Sequence, residues 1–186
     1  MPQSPPVPAS PSVVPHLTGR LKIQFDALDA CHQQTLATLN LLVQLVDQLD
    51  QHAAEEPVKR MAREIITFFN GESRAHHAEE EHLVFPPILQ GLDHRLIEKV
   101  KRLQQDHVWL EQDWLELGLQ LDAIARGYNW YDREALRQGT SSFVALYLDH
   151  IDLEESIIYP QAKRRLAERS DAGAGRLHAE QTRRRA

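Results

Sequence analysis

One sequence phrase occurs twice, and this repeat limits the possible folds more than any other feature. Residues 69–86 and 143–160 each read aromatic, six residues, His, three residues, Glu-Glu, three residues, aromatic, Pro, with matched positions 74 residues apart. A repeated core pattern is expected where two halves of one fold pack against each other. Because each copy also repeats His-x-x-x-Glu, the phrase indicates that the two halves share a metal site.

Composition and charge narrow the class of protein. The 186 residues suit one domain, and the scarcity of glycine, 8 in the chain, favours helices over strands. The net charge of −6 argues against nucleic acid as a partner, because phosphate binding needs a basic surface. A single cysteine, Cys31, cannot form an internal disulfide, and no apolar run reaches membrane-spanning length. We therefore expect a cytoplasmic protein that binds neither nucleic acid nor a membrane.

Hydrophobic periodicity predicts the fold. Apolar residues recur at spacings of three and four along four stretches, which is typical of amphipathic helices. The predicted helices cover about residues 22–52, 57–84, 93–126 and 132–167. Asp93 suits a helix start, Gly127 suits a helix end, and Pro86 and Pro160 should stop or bend a helix. The predicted fold is all-α, an antiparallel up-down-up-down four-helix bundle with a pseudo-twofold internal repeat.

The two ends of the chain differ from the predicted bundle. Six of the first fifteen residues are proline, which fixes φ and lacks a backbone donor, so residues 1–19 should form a disordered arm. Residues 169–186 are small, polar and basic and should form a flexible tail. The bundle is therefore assigned to residues 20–168.

Polar residues occupy positions where packing alone would place a hydrophobic side chain. Each predicted helix carries a histidine on its apolar face, and the second and fourth helices also carry a glutamate one turn later. Folding the bundle would bring these groups to its centre at one level. The candidate metal ligands are His32, His76, Glu80, His107, His150 and Glu154.

The physical cost of burying these groups favours a metal. An unpaired buried carboxylate costs on the order of several kcal/mol, even after relaxation. Two divalent ions, each held by two histidines and bridged by Glu80 and Glu154, would remove this cost. Imidazole and carboxylate without thiolate suit iron, manganese or zinc. Open metal positions favour a di-iron centre with an oxo or hydroxo bridge, for which zinc or manganese is a possible substitute.

The order of these motifs resembles that of the hemerythrin-like, or HHE cation-binding, proteins. Their pattern is a lone His, His-x-x-x-Glu, a second lone His and a second His-x-x-x-Glu, and here it extends over about residues 20–165. The Glu-Glu and aromatic-Pro elements of each phrase are also typical of the family. The resemblance implies a four-helix bundle with a non-haem di-iron centre. Such a centre binds or reacts with oxygen, nitric oxide or peroxide in sensing, scavenging or stress response.

Two departures from the family pattern bear on function. Oxygen-carrying hemerythrins have a second histidine one turn along the third helix and end in His-x-x-x-x-Asp. Here Leu103 and Glu111 lie one turn from His107, and the last motif is His-x-x-x-Glu. Because a fifth imidazole is missing from this pattern, simple reversible oxygen carriage is disfavoured. The resemblance is closer to the iron-centre repair proteins, which usually carry an additional N-terminal domain with a cysteine.

Several neighbouring residues stay open as ligands or their supports. His77 with Glu81 has the same spacing as His76 with Glu80, although the 74-residue repeat favours the second pair. The open positions are Glu72, His77, Glu81 and Glu111. The other histidines should lie on the surface: His16, His52, His82, His94 and His178.

Three kinds of function fit this pattern. The first is a di-iron binding protein for a small diatomic ligand or peroxide. The second is a metal-dependent oxidoreductase, since open metal positions also permit turnover. The third is a zinc-bound or metal-free bundle with a structural or interaction role. No substrate pocket is marked in the sequence, so it leaves open whether the protein is an enzyme, and also its oligomeric state.

Overall fold

The computed structural model describes residues 19–51, 54–170 and 172. These residues form helices, without a strand among them, so the all-α prediction is confirmed as a helical bundle. No helix in this part of the chain is both long and apolar enough to span a membrane. The elements are α1 (Gly19–Gln51), α2 (Glu56–Asn70), α3 (Glu72–Glu79), a π segment (Glu80–Val84), α4 (Pro86–Leu89), α5 (His94–Arg126), α6 (Arg133–Leu153) and a second π segment (Glu154–Ile158), with helical residues continuing over 159–170.

The predictions for the two ends of the chain fall mainly outside the described residues. The proline-rich arm lies outside them apart from Gly19, where α1 begins. Most of the basic tail lies outside them as well. Both predictions stay predictions.

Local signals set the ends of α5 and α6. The Asp93 side chain accepts the backbone N–H groups of Arg95 and Leu96 at 3.0 and 3.3 Å, which caps α5. Asp132 caps α6 in the same way. α5 ends at Gly127, whose φ of 78° lies in the left-handed region that favours glycine. The predicted start at Asp93 and end at Gly127 are therefore confirmed.

The predicted second helix is divided. It leaves helical geometry at Gly71, with φ −115° and ψ −87°, and resumes as α3. It ends at Val84, as expected from the prolines that follow. Pro86 also begins the short helix α4, because its fixed φ suits the first turn of a helix and its missing N–H is not needed there.

Both repeated phrases contain a π segment at the same place. In each copy it begins at the glutamate of His-x-x-x-Glu and ends two residues before the proline. The backbone N–H of Phe85 bonds to the carbonyl of Glu80 at 3.0 Å, and Tyr159 bonds to Glu154 in the same five-residue pattern. Single π turns within helices are frequent at functional sites. At Pro160 the helix therefore widens before the proline and continues beyond it.

Two apolar clusters lie on either side of the level of the histidines. On α5, Leu103 belongs to one cluster and Leu110 to the other, with His107 between them. Both clusters extend across a ring formed by four helices. In this ring, α1 packs on α2 and α6, and α5 packs on the same two helices. Because leucine and aromatic side chains fill both clusters, the polar groups between them are enclosed by apolar surface.

Candidate metal centre

The six predicted ligands come together between the two apolar clusters. All of them are buried, and both carboxylates are 0% exposed. α1 and α5 contribute one histidine each, while the two repeated phrases contribute the rest. The residues brought together are His32, His76, Glu80, His107, His150 and Glu154.

His77, which the sequence left open as a ligand, lies in the same cluster and adds a fifth imidazole to it, although the position one turn along the third helix has no histidine. Consecutive helix residues point about 100° apart, so His76 and His77 can both flank the inward direction. His76 faces His32, with ring centroids 4.7 Å apart, and His77 stacks on His107 at 4.1 Å. The sequence held a signal for this arrangement, because the matched position in the second phrase is the apolar residue Ile151, which is buried.

The donor atoms form two sets that share one glutamate. Within each set, the donor atoms lie within 4.8 Å of one another. We name the sets by their lone histidines. The His32 position consists of His32, His76, Glu80 and Glu154. The His107 position consists of His77, Glu80, His107 and His150.

The two carboxylates extend from one position to the other. Oε1 of Glu80 lies 3.3 Å from Nε2 of His76, and its Oε2 lies 3.5 Å from Nε2 of His107. Oε2 of Glu154 lies 3.3 Å from Nε2 of His32 and, on the other side, 3.3 Å from Nε2 of His150. Both carboxylates are therefore placed where they could bridge two ions.

The second glutamate of each phrase supports a lone histidine on another helix. Glu155 lies 2.9 Å from Nδ1 of His32, and Glu81 lies 3.0 Å from Nδ1 of His107. Both glutamates are half-exposed. A carboxylate on Nδ1 fixes the ring and leaves Nε2 directed at the cluster, as is common behind metal-binding histidines. This pairing assigns a role to the Glu-Glu dipeptide that its sequence did not reveal.

A buried aspartate that the sequence pattern did not identify lies behind His150. Oδ2 of Asp106 is 3.8 Å from Nδ1 of His150, which is too long for a hydrogen bond. The Asp106 side chain is 1% exposed. It adds a third carboxylate on the outer side of the histidines.

The aromatic residues that end the two phrases contact the cluster differently. The Tyr159 hydroxyl donates to Oε1 of Glu80 at 2.5 Å and lies 3.2 Å from Nε2 of His32. Its ring stacks on His32, with centroids 5.3 Å apart. Phe85 stacks on His107 at 5.7 Å and has no hydroxyl to offer.

The pKa values of the two buried carboxylates are shifted in opposite directions. Burial and the charge of Glu80 raise the pKa of Glu154 well above its ordinary value. Burial alone would also raise the pKa of Glu80, but the neighbouring imidazoles of His107, His32 and His76 hold it well below. Burial alone would lower the pKa of His32, but the adjacent carboxylates of Glu154 and Glu80 raise it to about 10. Without a metal, protons therefore balance the buried negative charge.

The cluster is better suited to binding divalent cations than to forming a hydrogen-bond network of protein groups alone. Among the described residues, several of its buried donor atoms have no hydrogen-bond partner: Oε2 of Glu80, both carboxylate oxygens of Glu154, and Nε2 of His107 and His150. A buried polar atom without a partner costs about 1–3 kcal/mol. Imidazole nitrogen and carboxylate oxygen are ordinary ligands of iron, zinc and manganese. A cation would satisfy the unpartnered atoms at once.

The remaining candidates lie away from the cluster. Glu72 is exposed, and Glu111 is half-exposed and pairs with Arg74 at 3.1 Å. His82 and His94 are exposed, as predicted. The other three histidines assigned to the surface lie outside the described residues: His16, His52 and His178.

A surface groove leads to one side of the cluster. It has a volume of about 500 Å³, and both His77 and His107 line it. Glu81 and Val108 also line the groove, together with the Arg74–Glu111 ion pair. The groove therefore brings solvent next to two histidines of the His107 position.

Comparison with known proteins agrees with this geometry. The chain is similar to an uncharacterized protein of Haemophilus influenzae, 28% identical over 134 residues, or 72% of this chain and 75% of that protein. It is also similar to the iron-sulfur cluster repair protein YtfE of Escherichia coli O157:H7, 24% identical over 144 residues. That match covers 72% of this chain, which spans 60% of the length of YtfE. The model of the hemerythrin HHE cation binding domain matches residues 24–162. Since this match covers most of the sequence, the chain belongs to the hemerythrin HHE cation-binding domain family.

Proposed function

We propose that the chain binds two iron ions in this cluster and through them binds or reacts with oxygen, nitric oxide or peroxide in a stress response. The observation that carries this proposal is the sharing of Glu80 between two sets of donor atoms. One carboxylate with a separate group of histidines on each side is the arrangement that a bridged metal pair requires. A single structural ion would need only one of the two sets.

The donor chemistry supports iron. The cluster offers imidazole and carboxylate, and the one cysteine of the chain, Cys31, is absent from it. Burial raises the pKa of the Cys31 thiol to about 11, so it is protonated at neutral pH. Zinc and manganese accept the same ligands and would compete with iron. Iron supplies a change of oxidation state and an exchangeable position for a small ligand.

The protein residues position and protect the centre. Glu81 and Glu155 hold the rings of His107 and His32, so that Nε2 of each ring faces the cluster. The apolar clusters on either side exclude bulk water, which strengthens electrostatic interactions inside. The groove at His77 brings solvent next to the His107 position. This arrangement supports binding and reaction of a diatomic ligand or peroxide.

The relatives favour a stress role over simple oxygen carriage. YtfE is named an iron-sulfur cluster repair protein, and we propose a related stress function in the cytoplasm without a nucleic-acid partner. Because this chain spans 60% of YtfE, the repair activity itself is not carried over. With His77 the cluster contains five imidazoles, so the number of histidines does not argue against oxygen binding. Oxygen therefore stays among the candidate ligands.

We also propose that the long helices alternate in direction and that the two halves are related by a pseudo-twofold repeat. The closed ring of packed helices supports this topology. The two π segments at matched positions of the repeated phrase support the internal repeat.

Metal analysis of the purified chain tests the proposal. The chain is produced with supplemental iron, and metals per chain are counted by mass spectrometry alongside a visible spectrum. We expect two iron ions per chain and the absorption of a bridged ferric pair. Zinc alone after iron reconstitution, or no bound metal, would contradict the proposal and favour a structural bundle.

Rapid mixing of the reduced, iron-loaded chain with oxygen, nitric oxide and peroxide identifies the reaction. A single spectral change that saturates at one ligand per centre indicates binding. Repeated consumption of peroxide or nitric oxide in the presence of a reductant indicates an oxidoreductase. No change with any of the three reagents would exclude the proposed reactivity, even if iron is bound.

A further inference from the structure

We propose that Tyr159 is a positioning residue that orients Glu80 for the His32 position and so makes the two metal positions unequal. This inference rests on the proposed binding of two metal ions. It concerns a residue that the His-x-x-x-Glu pattern does not include. The claim is specific to the hydroxyl group of Tyr159, because its ring has a counterpart in the other phrase.

The hydroxyl is held between two groups of the His32 position. It donates to Oε1 of Glu80 at 2.5 Å, and it lies 3.2 Å from Nε2 of His32. Tyr159 is 1% exposed, so water does not compete for the contact. A phenol has one proton to donate and a carboxylate can only accept, so the hydroxyl proton is directed at Glu80.

This contact reaches only one end of the shared carboxylate. Oε1 is the oxygen 3.3 Å from His76, whereas Oε2 is the oxygen 3.5 Å from His107. A hydrogen bond on Oε1 fixes the rotation of the carboxylate group from the His32 side. Oε2 has no hydrogen-bond partner of its own among the described residues. Tyr159 therefore holds the oxygen of the His32 position and makes no hydrogen bond with the oxygen of the His107 position.

The repeated phrase provides an internal comparison. The residue 74 positions before Tyr159 is Phe85, which is also fully buried. Each ring stacks on a lone histidine, at 5.3 Å for Tyr159 on His32 and 5.7 Å for Phe85 on His107. The rings thus have the same packing role, and the hydroxyl is the chemical difference between them.

Replacement of Tyr159 by Phe removes the hydroxyl and keeps the ring. Loss of a hydrogen bond that orients a metal-binding carboxylate typically weakens metal binding by about 10–100-fold. We expect the Tyr159→Phe variant to bind one ion about 10–100-fold more weakly and the other ion with little change. The measurement is a titration of the metal-free protein with Co²⁺, followed by the visible spectrum of the bound ion.

Tyr147→Phe is the matched control. Tyr147 is also buried, and its hydroxyl exchanges a hydrogen bond with Ser73 at 2.8 Å, outside the two donor sets. If the Tyr159 hydroxyl contributed only to folding, Tyr159→Phe and Tyr147→Phe would lower the melting temperature by similar amounts. Neither variant would then change the affinity for either Co²⁺ ion. We expect Tyr147→Phe to retain both wild-type affinities.

Two backgrounds identify which position is affected. In a His77→Gln background, which damages the His107 position, Tyr159→Phe should weaken the remaining ion. In a His76→Gln background, which damages the His32 position, it should have little effect on the remaining ion. The opposite pattern would overturn the inference, as would equal Co²⁺ affinities in wild type and Tyr159→Phe.

The outcomes also separate this inference from the proposed function. Wild-type protein that binds no Co²⁺, iron or zinc would remove the proposed function, and this inference with it. Wild-type protein that binds two ions with Tyr159→Phe unchanged would overturn the role of Tyr159 alone. A phenolate-to-iron charge-transfer band in the ferric wild type, lost in Tyr159→Phe, would show direct binding of the ion and overturn the positioning role.

Discussion

The His32 position and the His107 position are built from copies of one phrase, yet they differ in their chemistry. By their donor sets, the His32 position has two imidazoles and two carboxylates and the His107 position has three imidazoles and one carboxylate, although Glu154 of the first set also lies 3.3 Å from His150 of the second. A tyrosine hydroxyl contacts the first, and a phenylalanine ring packs on the second. The surface groove described above is lined by His77 and His107, which belong to the second position.

Two substitutions between the phrases explain most of this difference. His77 is matched by Ile151, which adds an imidazole to one side of the cluster only. Phe85 is matched by Tyr159, which adds a hydroxyl to the other side only. A repeat therefore preserves the frame of a site, while single residues at matched positions set the properties of each half. More carboxylate favours harder ions, and more imidazole favours borderline ones.

The largest expected effect comes from removing the residue that both positions share. Glu80→Gln removes the one negative charge that the two positions share and replaces one of the two carboxylate oxygens by an amide nitrogen, which has no free lone pair for a cation, so the side chain can no longer bridge. We expect binding of both ions to weaken by about 100-fold or more, because this change removes a direct ligand of each rather than an outer support. Metal content after dialysis measures the effect.

Glu79→Gln is the control for this substitution. Glu79 is adjacent, but its side chain accepts a hydrogen bond from Gln24 and is absent from both donor sets. It should retain two ions. Loss of metal in both variants, or retention in both, would contradict the shared role of Glu80.

Removing one histidine at a time should separate the two positions. His76→Gln should empty the His32 position and His77→Gln should empty the His107 position, leaving one ion per chain in each case. The spectra of the two Co²⁺-loaded variants should differ and together approximate that of wild type. Two ions retained in His77→Gln would show that the fifth imidazole is not a ligand.

The pH dependence of binding should be steeper at the His32 position. Burial alone would lower the pKa of its His32, but the adjacent carboxylates of Glu154 and Glu80 raise it to about 10. A metal must displace this proton at neutral pH, so affinity falls as the pH falls, by up to about tenfold per pH unit for each proton displaced. At the His107 position, burial lowers the pKa values of His77 and His150, so these two rings are already neutral, while Glu80 and Glu81 raise the pKa of His107 against the effect of burial. The pH dependence at the His32 position should be steeper because this position also contains Glu154, whose pKa is raised well above its ordinary value by burial and the charge of Glu80, so a second proton must leave.

Co²⁺ titrations between about pH 6 and pH 9, in the two single-histidine variants, measure this difference. The ion that remains in His77→Gln should show the steeper dependence and should release protons on binding, which an indicator dye detects. Equal slopes in the two variants would contradict the additional proton assigned to Glu154.

The smallest expected effects come from the two half-exposed glutamates. Glu155→Gln removes the carboxylate on Nδ1 of His32, and Glu81→Gln removes the one on Nδ1 of His107. Each should weaken only its own position by about tenfold, the lower end of the range for such supports, because solvent can replace an exposed partner. Affinities that change at the opposite position would show that the pairing across helices is wrong.

Different physical signals explain which features could be predicted from the sequence. The helix periodicity and the caps at Asp93 and Gly127 are local, so they could be identified from neighbouring residues. The convergence of His32 and His107 with the two His-x-x-x-Glu pairs followed from one rule, that polar residues on an apolar helix face need partners. Periodicity fixes the direction of a helix face, but it cannot choose between adjacent residues that flank this direction. For this reason the sequence leaves His76 and His77 as alternatives, whereas the structure places both in the cluster.

The sequence by itself determined an all-α chain with a repeated phrase and six polar residues that must meet in its centre. Only the tertiary structure decided how those residues divide into two unequal positions. The division depends on contacts between helices, such as Glu155 with His32 and Tyr159 with Glu80, whose partners lie 123 and 79 residues apart in the chain. Local spacing carries no information on such pairs, because packing of the helices sets their distance.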